Sequence, residues 1–408
     1  MWEMQALPGF RDFYPEDLCF RNRILEAWRR VARRYGFVEY DGPPLEPLEI
    51  YAKKSGGELL DQLYRFVDRG GREVALRAEM TPTLARMIAR GHKQYKKPIK
   101  WFSIPQLFRY ERMQRGRLRE HFQFNCDIIG EPSLEAECEL IALAIDTLRE
   151  LGLQEEDFVV RVSDRLFWAD LLGKLGVDPE EWTHVLQVID KSEREPYEVT
   201  VQRLGKWAQP ILSVLEEKPR WPRLQELLDR LAWRGMTRFV EIDLRVVRGL
   251  AYYTGIVFEI FDRQRRLRAI AGGGRYDDLV PKFGGEPLPA AGFGMGDVVL
   301  GELLREKLPG RERCWTLDAY LVLVNEDLRP AAAALLQSLR EAGLGADYPL
   351  SVTSVRKQLE LAEERGCRYA LFLDERWCKG LVGFKKLKAT EEGAIPVDKI
   401  VPFLRERC

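Results

Sequence analysis

The segment 121–129, HFQFNCDII, constrains the fold more than any other stretch of the chain. It reads as a strand, and period-two alternation along it places Gln123, Asn125 and Asp127 on one face. Phe122, Phe124 and Cys126 fall on the other. A strand with amides and a carboxylate on one side and apolar groups on the other belongs to a sheet that covers a core with one face and borders a polar cavity with the other. Upstream, residues 100–109 read as a second strand. The loop between the two carries Arg109, Arg112, Arg115, Arg117 and Arg119 within eleven positions. Arginine forks grip phosphate oxygens two at a time, so this loop suits a polyphosphate or a nucleic-acid end. A solvated basic hairpin tip would have the same composition.

Helical spacing of Phe20, Ile24, Trp28, Val31 and Tyr35 predicts a helix over 16–35 that stops at Gly36. Residues 40–50 hold Pro43, Pro44 and Pro47 and read as extended. Short strands over 63–67 and 73–77 lead to a helix beginning near Thr81, with Pro82 just inside its start. A helix over 134–151 and a strand over 158–162 follow. The text from 166 to 234 is helical in texture, and strand-like text resumes at 239–243, 256–261 and 267–271. A polar stretch with Pro309 and Gly310 reads as a linker. Beyond it, a strand over 319–324, helices over 330–342 and 355–364 and a strand over 369–373 alternate as in a small α/β domain. The expected plan is a core of 1–165 plus 236–310, a mostly helical insertion at 166–235, and a separate domain at 314–408.

Charge and cysteine usage remove several classes. Lysine and arginine total 64, as do aspartate and glutamate, so bulk charge does not coat nucleic acid, although local basic patches remain open. Seven scattered cysteines without a Cys-x-x-Cys pair, and three histidines (His92, His121, His184), argue against a zinc site or a disulfide framework. No apolar run reaches the roughly 18 residues of a membrane span. The N-terminal text lacks a secretory pattern, so a cytoplasmic location is expected.

Three further segments carry chemistry. In VVRGLAYYTGIVFE, Arg248 precedes Gly249, which lets backbone approach a ligand, and Tyr252 and Tyr253 offer hydroxyls; tyrosine pairs in strands also serve core packing. In AGGGRYDDLVPKFGG the three glycines read as a flexible turn, without the lysine of a phosphate-cradling loop. In LRAEMTPTLAR, Glu79 and Thr81 stand at a strand-to-helix junction where a carboxylate can meet an ammonium group; helix capping is the plainer reading.

Taken in order, these four segments resemble the histidyl-tRNA synthetases, a class II aminoacyl-tRNA synthetase family, over essentially the whole chain. LPGFRDFYP is similar to the family's opening and YDGPPLEPLEIY to its dimer-forming first motif. FRYER and RGRLREHFQFNCD match the second motif and its loop, and RGLAYYTG and GGGRYDDL resemble the two histidine signatures. The resemblance implies an α+β catalytic domain, its antiparallel sheet flanked by helices, with a helical insertion and a C-terminal α/β anticodon-binding domain. It implies a homodimeric histidine–tRNA ligase that uses ATP and Mg²⁺ and takes L-histidine and tRNA(His). By position, Glu79 and Thr81 would hold the α-amino group with Gln123 nearby. Arg109 would bridge the substrate carboxylate and the α-phosphate, with Arg248 facing that phosphate from the other side. Asp127 and Tyr253 would read the imidazole nitrogens, Tyr252 and Tyr276 would line the pocket, and Glu111 and His121 would contact adenine.

Three departures accompany the resemblance. The third motif of class II enzymes ends in an arginine that reaches the γ-phosphate, but GFGMGDVVLGELL has Asp297, Val298 and Val299 there. Divergent family members, plant organellar ones among them, read similarly, and Arg117 or Arg119 would be the substitute. Ala251 replaces an acidic residue of the histidine signature, and Asp127 is a glutamate in many bacterial relatives. The alternative reading is a non-catalytic, synthetase-like regulatory subunit of ATP phosphoribosyltransferase. Such subunits usually lack the anticodon-binding domain and degrade the histidine signatures.

Overall fold

The computed structural model describes residues 5–54, 57–248, 252–308 and 315–407. The chain divides into two compact units, Met1–Gly310 and Arg311–Cys408.

The first long helix, Pro15–Arg34, begins with proline in its first turn and carries Glu16 and Asp17 there, with Arg33 and Arg34 in its last turn. Both charge placements complement the helix dipole. It buries Ile24, Trp28 and Val31, and the Trp28 ring stacks on Phe124 with centroids 5.5 Å apart. Truncating a buried aromatic of this kind costs about 3–5 kcal/mol. Phe124 lies on the strand Glu120–Ile129, at the centre of a nine-stranded sheet.

The sheet runs Val38–Glu39, Ile99–Ser103, Glu120–Ile129, Ala290–Gly296, Ala271–Arg275, Ile256–Asp262, Phe158–Asp164, Val240–Ile242, with Gln106–Phe108 also paired to Glu120–Ile129. Its interior pairs are antiparallel and its two outermost pairs parallel. Phe102, Phe124, Cys126, Phe293, Met295 and Phe258 share one face and join a single core with the helix Glu135–Glu150. The expected strand over 100–109 is broken because Pro105 offers no N–H to the ladder.

Two expectations need correcting. Gly272, Gly273 and Gly274 do not form a turn; they lie inside the strand Ala271–Arg275. A Cβ at Gly273 would lie 2.2 Å from the Gly292 carbonyl oxygen, so close backbone approach, not flexibility, requires glycine. Residues 267–270 are not the expected strand. Asp262 instead accepts hydrogen bonds from the backbone of Arg266 and Leu267 at 3.0 and 2.9 Å, holding a turn in which Arg265 adopts a left-handed φ of 56°. Ladder pairing resumes when Ile270 donates to the Ile260 carbonyl at 2.7 Å.

Between Phe158–Asp164 and Val240–Ile242 the chain forms helices Arg165–Lys174, Pro179–Lys191, Tyr197–Leu204, Ala208–Glu217 and Pro222–Trp233. Asp164 caps the first of these through Leu166 N–H at 3.0 Å and accepts from Trp221 Nε1 at 2.9 Å. Trp168, Ile189, Ile211 and Leu227 enter the same core as Leu140 and Val160. This helical segment is therefore continuous with the interior beneath the large sheet.

The second unit holds a five-stranded sheet in the order Ala346–Asp347, Ala319–Leu323, Tyr369–Leu373, Leu381–Lys386, Glu392–Pro396. Its first three strands are parallel and the rest antiparallel. Helices Arg329–Glu341 and Val355–Glu364 cross between the parallel strands, and buried Gln358 bonds both backbone groups of Leu323. Cys126, Cys138, Cys367 and Cys378 are free thiols. Among the described residues no helix is long and apolar enough to cross a membrane.

Candidate active site

The face of the large sheet away from the core is the floor of the site. Gln123, Asn125 and Asp127 stand opposite Gly296, Gly294 and Gly292, and the last two stand opposite Gly272 and Gly274 on the next strand. Directly paired residues share a face, so long polar side chains lie across bare backbone. A Cβ would come within 2.0 Å of Asp127 Oδ1 if added at Gly292, 2.8 Å of the Gln123 amide at Gly294, and 1.6 Å of Arg248 Nη1 at Gly272. The alternate glycines of GFGMG are the counterpart of the polar alternation on the central strand. Their period of two was a signal in the sequence that went unread.

Above this floor lies a cavity of about 820 Å³. Arg109, Glu111, Arg117, His121, Gln123 and Arg248 line it, with Gly272 and Gly294 below. Arg109 follows the short strand Gln106–Phe108; its Nε donates to the Ala78 carbonyl at 2.9 Å. Arg248 meets Glu259 at 3.0 Å across the strand of glycines. Burial lowers the Arg109 pKa and Arg248 pushes it the same way, against Glu79 and Tyr252. Burial also pulls Arg248 down, but Glu259, Tyr253, Tyr252 and Asp190 outweigh it and leave a net rise. Burial pushes the Glu259 carboxyl up, opposed by Arg248. Two guanidiniums near enough to repel each other make a site whose charge an anion relieves. Glu259 was not anticipated, although a lone carboxylate within VFEIF was its trace.

Glu79, Thr81, Asp127, Tyr252, Tyr253 and Tyr276 do not line this cavity. Glu79, Asp127, Tyr252, Tyr253 and Tyr276 meet beside it in a polar cluster. The Tyr276 hydroxyl donates to Asp127 Oδ1, and the Tyr252 ring lies 4.3 Å from Tyr253 and 6.0 Å from Tyr276. Burial, then Asp127, raises the Tyr276 pKa; burial, then Glu79, raises that of Tyr252. Both hydroxyls therefore remain donors near neutral pH. Neither Glu79 nor Thr81 caps the helix Thr81–Gly91: its N-cap is Met80, with no side-chain cap bond. The capping reading thus does not account for either residue.

His121 is held neutral: burial lowers its pKa to about 3, helped by Arg109, Arg11 and Arg117. Arg117 is ion-paired with Glu111. Arg119 lies outside the cavity wall, its guanidinium 4.2 Å from the Tyr110 ring centre and bonded to the Glu111 carbonyl at 3.3 Å. Asp297 is buried, accepting from Phe122 N–H at 2.8 Å and from Arg11 at 2.9 Å, while Val298 and Val299 line the cavity. Ala251 lies outside the described residues.

The family model described as Histidyl-tRNA synthetase matches residues 9–296, and the one described as Anticodon binding domain matches 318–407. The second match is the part that the regulatory-subunit alternative usually lacks. A histidine–tRNA ligase of Opitutus terrae is 45% identical, with 100% of this chain and 99% of the relative covered. The chloroplastic/mitochondrial histidine–tRNA ligase of Arabidopsis thaliana is 39% identical over 94% of this chain and 83% of its own length. Among solved structures, histidyl-tRNA synthetase from Nostoc sp. PCC 7120 superposes with a TM-score of 0.83 at 22% identity, with both chains fully covered. A Bacillus halodurans chain described as an ATP phosphoribosyltransferase regulatory subunit/histidyl-tRNA synthetase gives 0.75 at 23% identity, covering 91% of this chain and 98% of its own, which speaks to the fold alone. With a polar, glycine-floored cavity holding two arginines and relatives aligned from end to end, the chain belongs to the histidyl-tRNA synthetase family.

Proposed function

We propose that the main cavity carries out the ATP-dependent activation of histidine, the first half of the histidine–tRNA ligase reaction. In this step the histidine carboxylate is the nucleophile: one of its oxygens bonds to the α-phosphorus of ATP, and pyrophosphate leaves. In the second step a ribose hydroxyl at the 3′ end of tRNA attacks the adenylate carbonyl and AMP leaves. Neither step asks for a serine–histidine pair. The first asks for in-line positioning and positive charge around a crowded phosphorus. The single observation that carries this reading is the pair Arg109 and Arg248, which line the same cavity near enough for one charge to act on the other.

The remaining roles are those that the family resemblance implies. Glu79 and Thr81 hold the ammonium group, with Gln123 alongside. Asp127, fixed by the Tyr276 hydroxyl, orients the imidazole with Tyr253 and Tyr252. A pocket that leaves buried polar groups unpaired when the wrong side chain enters discriminates by up to ~10⁴–10⁵. His121, kept neutral, and Glu111 face the adenine, and Arg117 lies by the phosphates. The cavity's carboxylates, Glu111, Glu193 and Glu302, are hard oxygen donors of the kind that Mg²⁺ arriving with the nucleotide takes. When bound, that ion neutralises the outer phosphates. The second unit reads unpaired anticodon bases.

We further propose a homodimer and a cytoplasmic location. Support for the dimer is the apolar surface on two edge strands: Val38 is 63% exposed, Phe66 51% and Val67 63%. Histidine-dependent ATP–pyrophosphate exchange tests the central reading. Exchange should appear with histidine and Mg²⁺, and vanish with other amino acids or with chelator. No exchange from well-folded protein would overturn the ligase reading.

A further inference from the structure

At its outer end the cavity wall has Val298 and Val299 where the family's third motif carries an arginine, and the nucleotide-activating reading puts the terminal phosphate there. Four arginines near this end are already engaged by carboxylates. Arg115 binds Glu302 at 3.1 Å and Glu306 at 2.7 Å, and Arg266 binds Glu306 at 2.8 Å. Arg265 is paired with Glu193 and Arg117 with Glu111. Arg268 also lines the cavity, and its guanidinium donates to the neutral amide oxygen of Gln114.

The geometry points to Arg268 as the residue that takes the terminal phosphates of the nucleotide, an assignment that rests on the nucleotide-activating reading above. Two arguments carry it. The first is position. Ile270, two residues on, accepts at its carbonyl from Gly296 N–H at 3.1 Å, immediately before Asp297 and Val298. A Cβ at Gly116 would lie 3.2 Å from Val299 Cγ2 and 3.9 Å from Arg268 Cδ, so the Arg268 stem runs beside Val299 over the same glycine. Its guanidinium is thus carried to the valine-lined wall by a different strand connection. The second is exchange. An arginine bound to a carboxylate gives up an ion pair on reaching for a phosphate, whereas Arg268 gives up one hydrogen bond to an amide and gains a charge-assisted one. The turn that delivers it is fixed by Asp262 and by the Ile270 pairings, so the approach is built before the nucleotide arrives. Arg117 is tied to Glu111, and Arg119 lies outside the wall.

Calorimetric titration with α,β-methylene-ATP and with AMP separates a contact to the outer phosphates from a general effect on the site. Arg268→Gln keeps a donor for Gln114 and removes the charge. It should weaken the triphosphate analogue about ten- to hundredfold, as loss of a hydrogen bond to a charged group does, and leave AMP within about twofold. Arg268→Lys should recover part of the loss. Equal weakening of both ligands, unchanged analogue affinity, or no analogue binding by the unaltered chain would overturn the assignment. Missing histidine-dependent exchange in the unaltered chain would remove the activation reading while leaving this binding comparison intact.

Discussion

At the inner end of the cavity Arg109 donates to the Ala78 carbonyl, and Arg248, its side chain 34% exposed, meets the more enclosed Glu259. At the outer end Arg115 and Arg266 share Glu306 close to solvent. The residue type is the same, but the physics differs. Inner guanidiniums sit in a poorly screened setting where each charge acts strongly on the next, as the opposed influences on Arg109 and Arg248 record. Outer ones are screened and exchange partners cheaply. On the proposed reading, a chain can therefore move an outer-phosphate contact from one strand connection to another more readily than it can reassign the inner pair.

The largest test of that contrast is Arg248→Ala. Removing one preorganised donor to the reacting phosphate should lower adenylate formation about 10²–10³-fold in single-turnover measurements, with histidine binding still measurable. Equal loss of rate and binding would mean that Arg248 serves the pocket's integrity instead. Next, Tyr276→Phe leaves the buried Asp127 carboxylate short of a donor and should raise the histidine KM about tenfold. An unchanged KM would detach Tyr276 from recognition.

A smaller effect concerns acid stability. The folded His121 pKa is about 3, below the ordinary value of about 6.5, so below pH 6.5 the unfolded chain binds a proton that the folded chain refuses. Stability from this residue is complete above the unfolded value and declines as pH falls toward 3. His121→Gln should therefore narrow the gap between urea midpoints measured at pH 7.5 and pH 5; an unaltered gap would show that other groups set it. Smallest of all, Arg115→Ala should leave the urea unfolding midpoint essentially unchanged, because its side chain is 65% exposed and its pairs lie at the surface. A large drop in that midpoint would erase the distinction between the two ends.

Much of this architecture could be read from local pattern. The strand around Gln123 and Asp127 announced both its faces, since alternation needs no knowledge of the partner strand. The helix near Thr81 and the helix Val355–Glu364 likewise carry their own start signals. The glycine strand was not legible: Gly272, Gly273 and Gly274 look like a turn locally, and only the backbone of neighbouring strands explains them. Residues 267–270 misled through apolar text, because the Asp262 turn that displaces the strand depends on backbone geometry. The strand Glu392–Pro396 is mostly exposed and offers no alternation to read. At the site, Arg109 and Gln123 could be placed by spacing. The meeting of Asp127 with Tyr276, and of Arg248 with Glu259, spans distant segments, and the roles assigned to them came from resemblance.

The helices between Arg165 and Trp233 also bear on how the chain reaches its native state. They separate Phe158–Asp164 from both strands that flank it in the sheet, so this part of the ladder closes only across a long loop. Loop closure costs entropy before any distant contact repays it, and topologies of this kind assemble slowly. Helices built from local contacts form early, and these bury their apolar sides in the sheet's own core. A chain with this segment removed would join the strands by a shorter tether yet leave that core open, and so would gain speed only by losing what holds the sheet together.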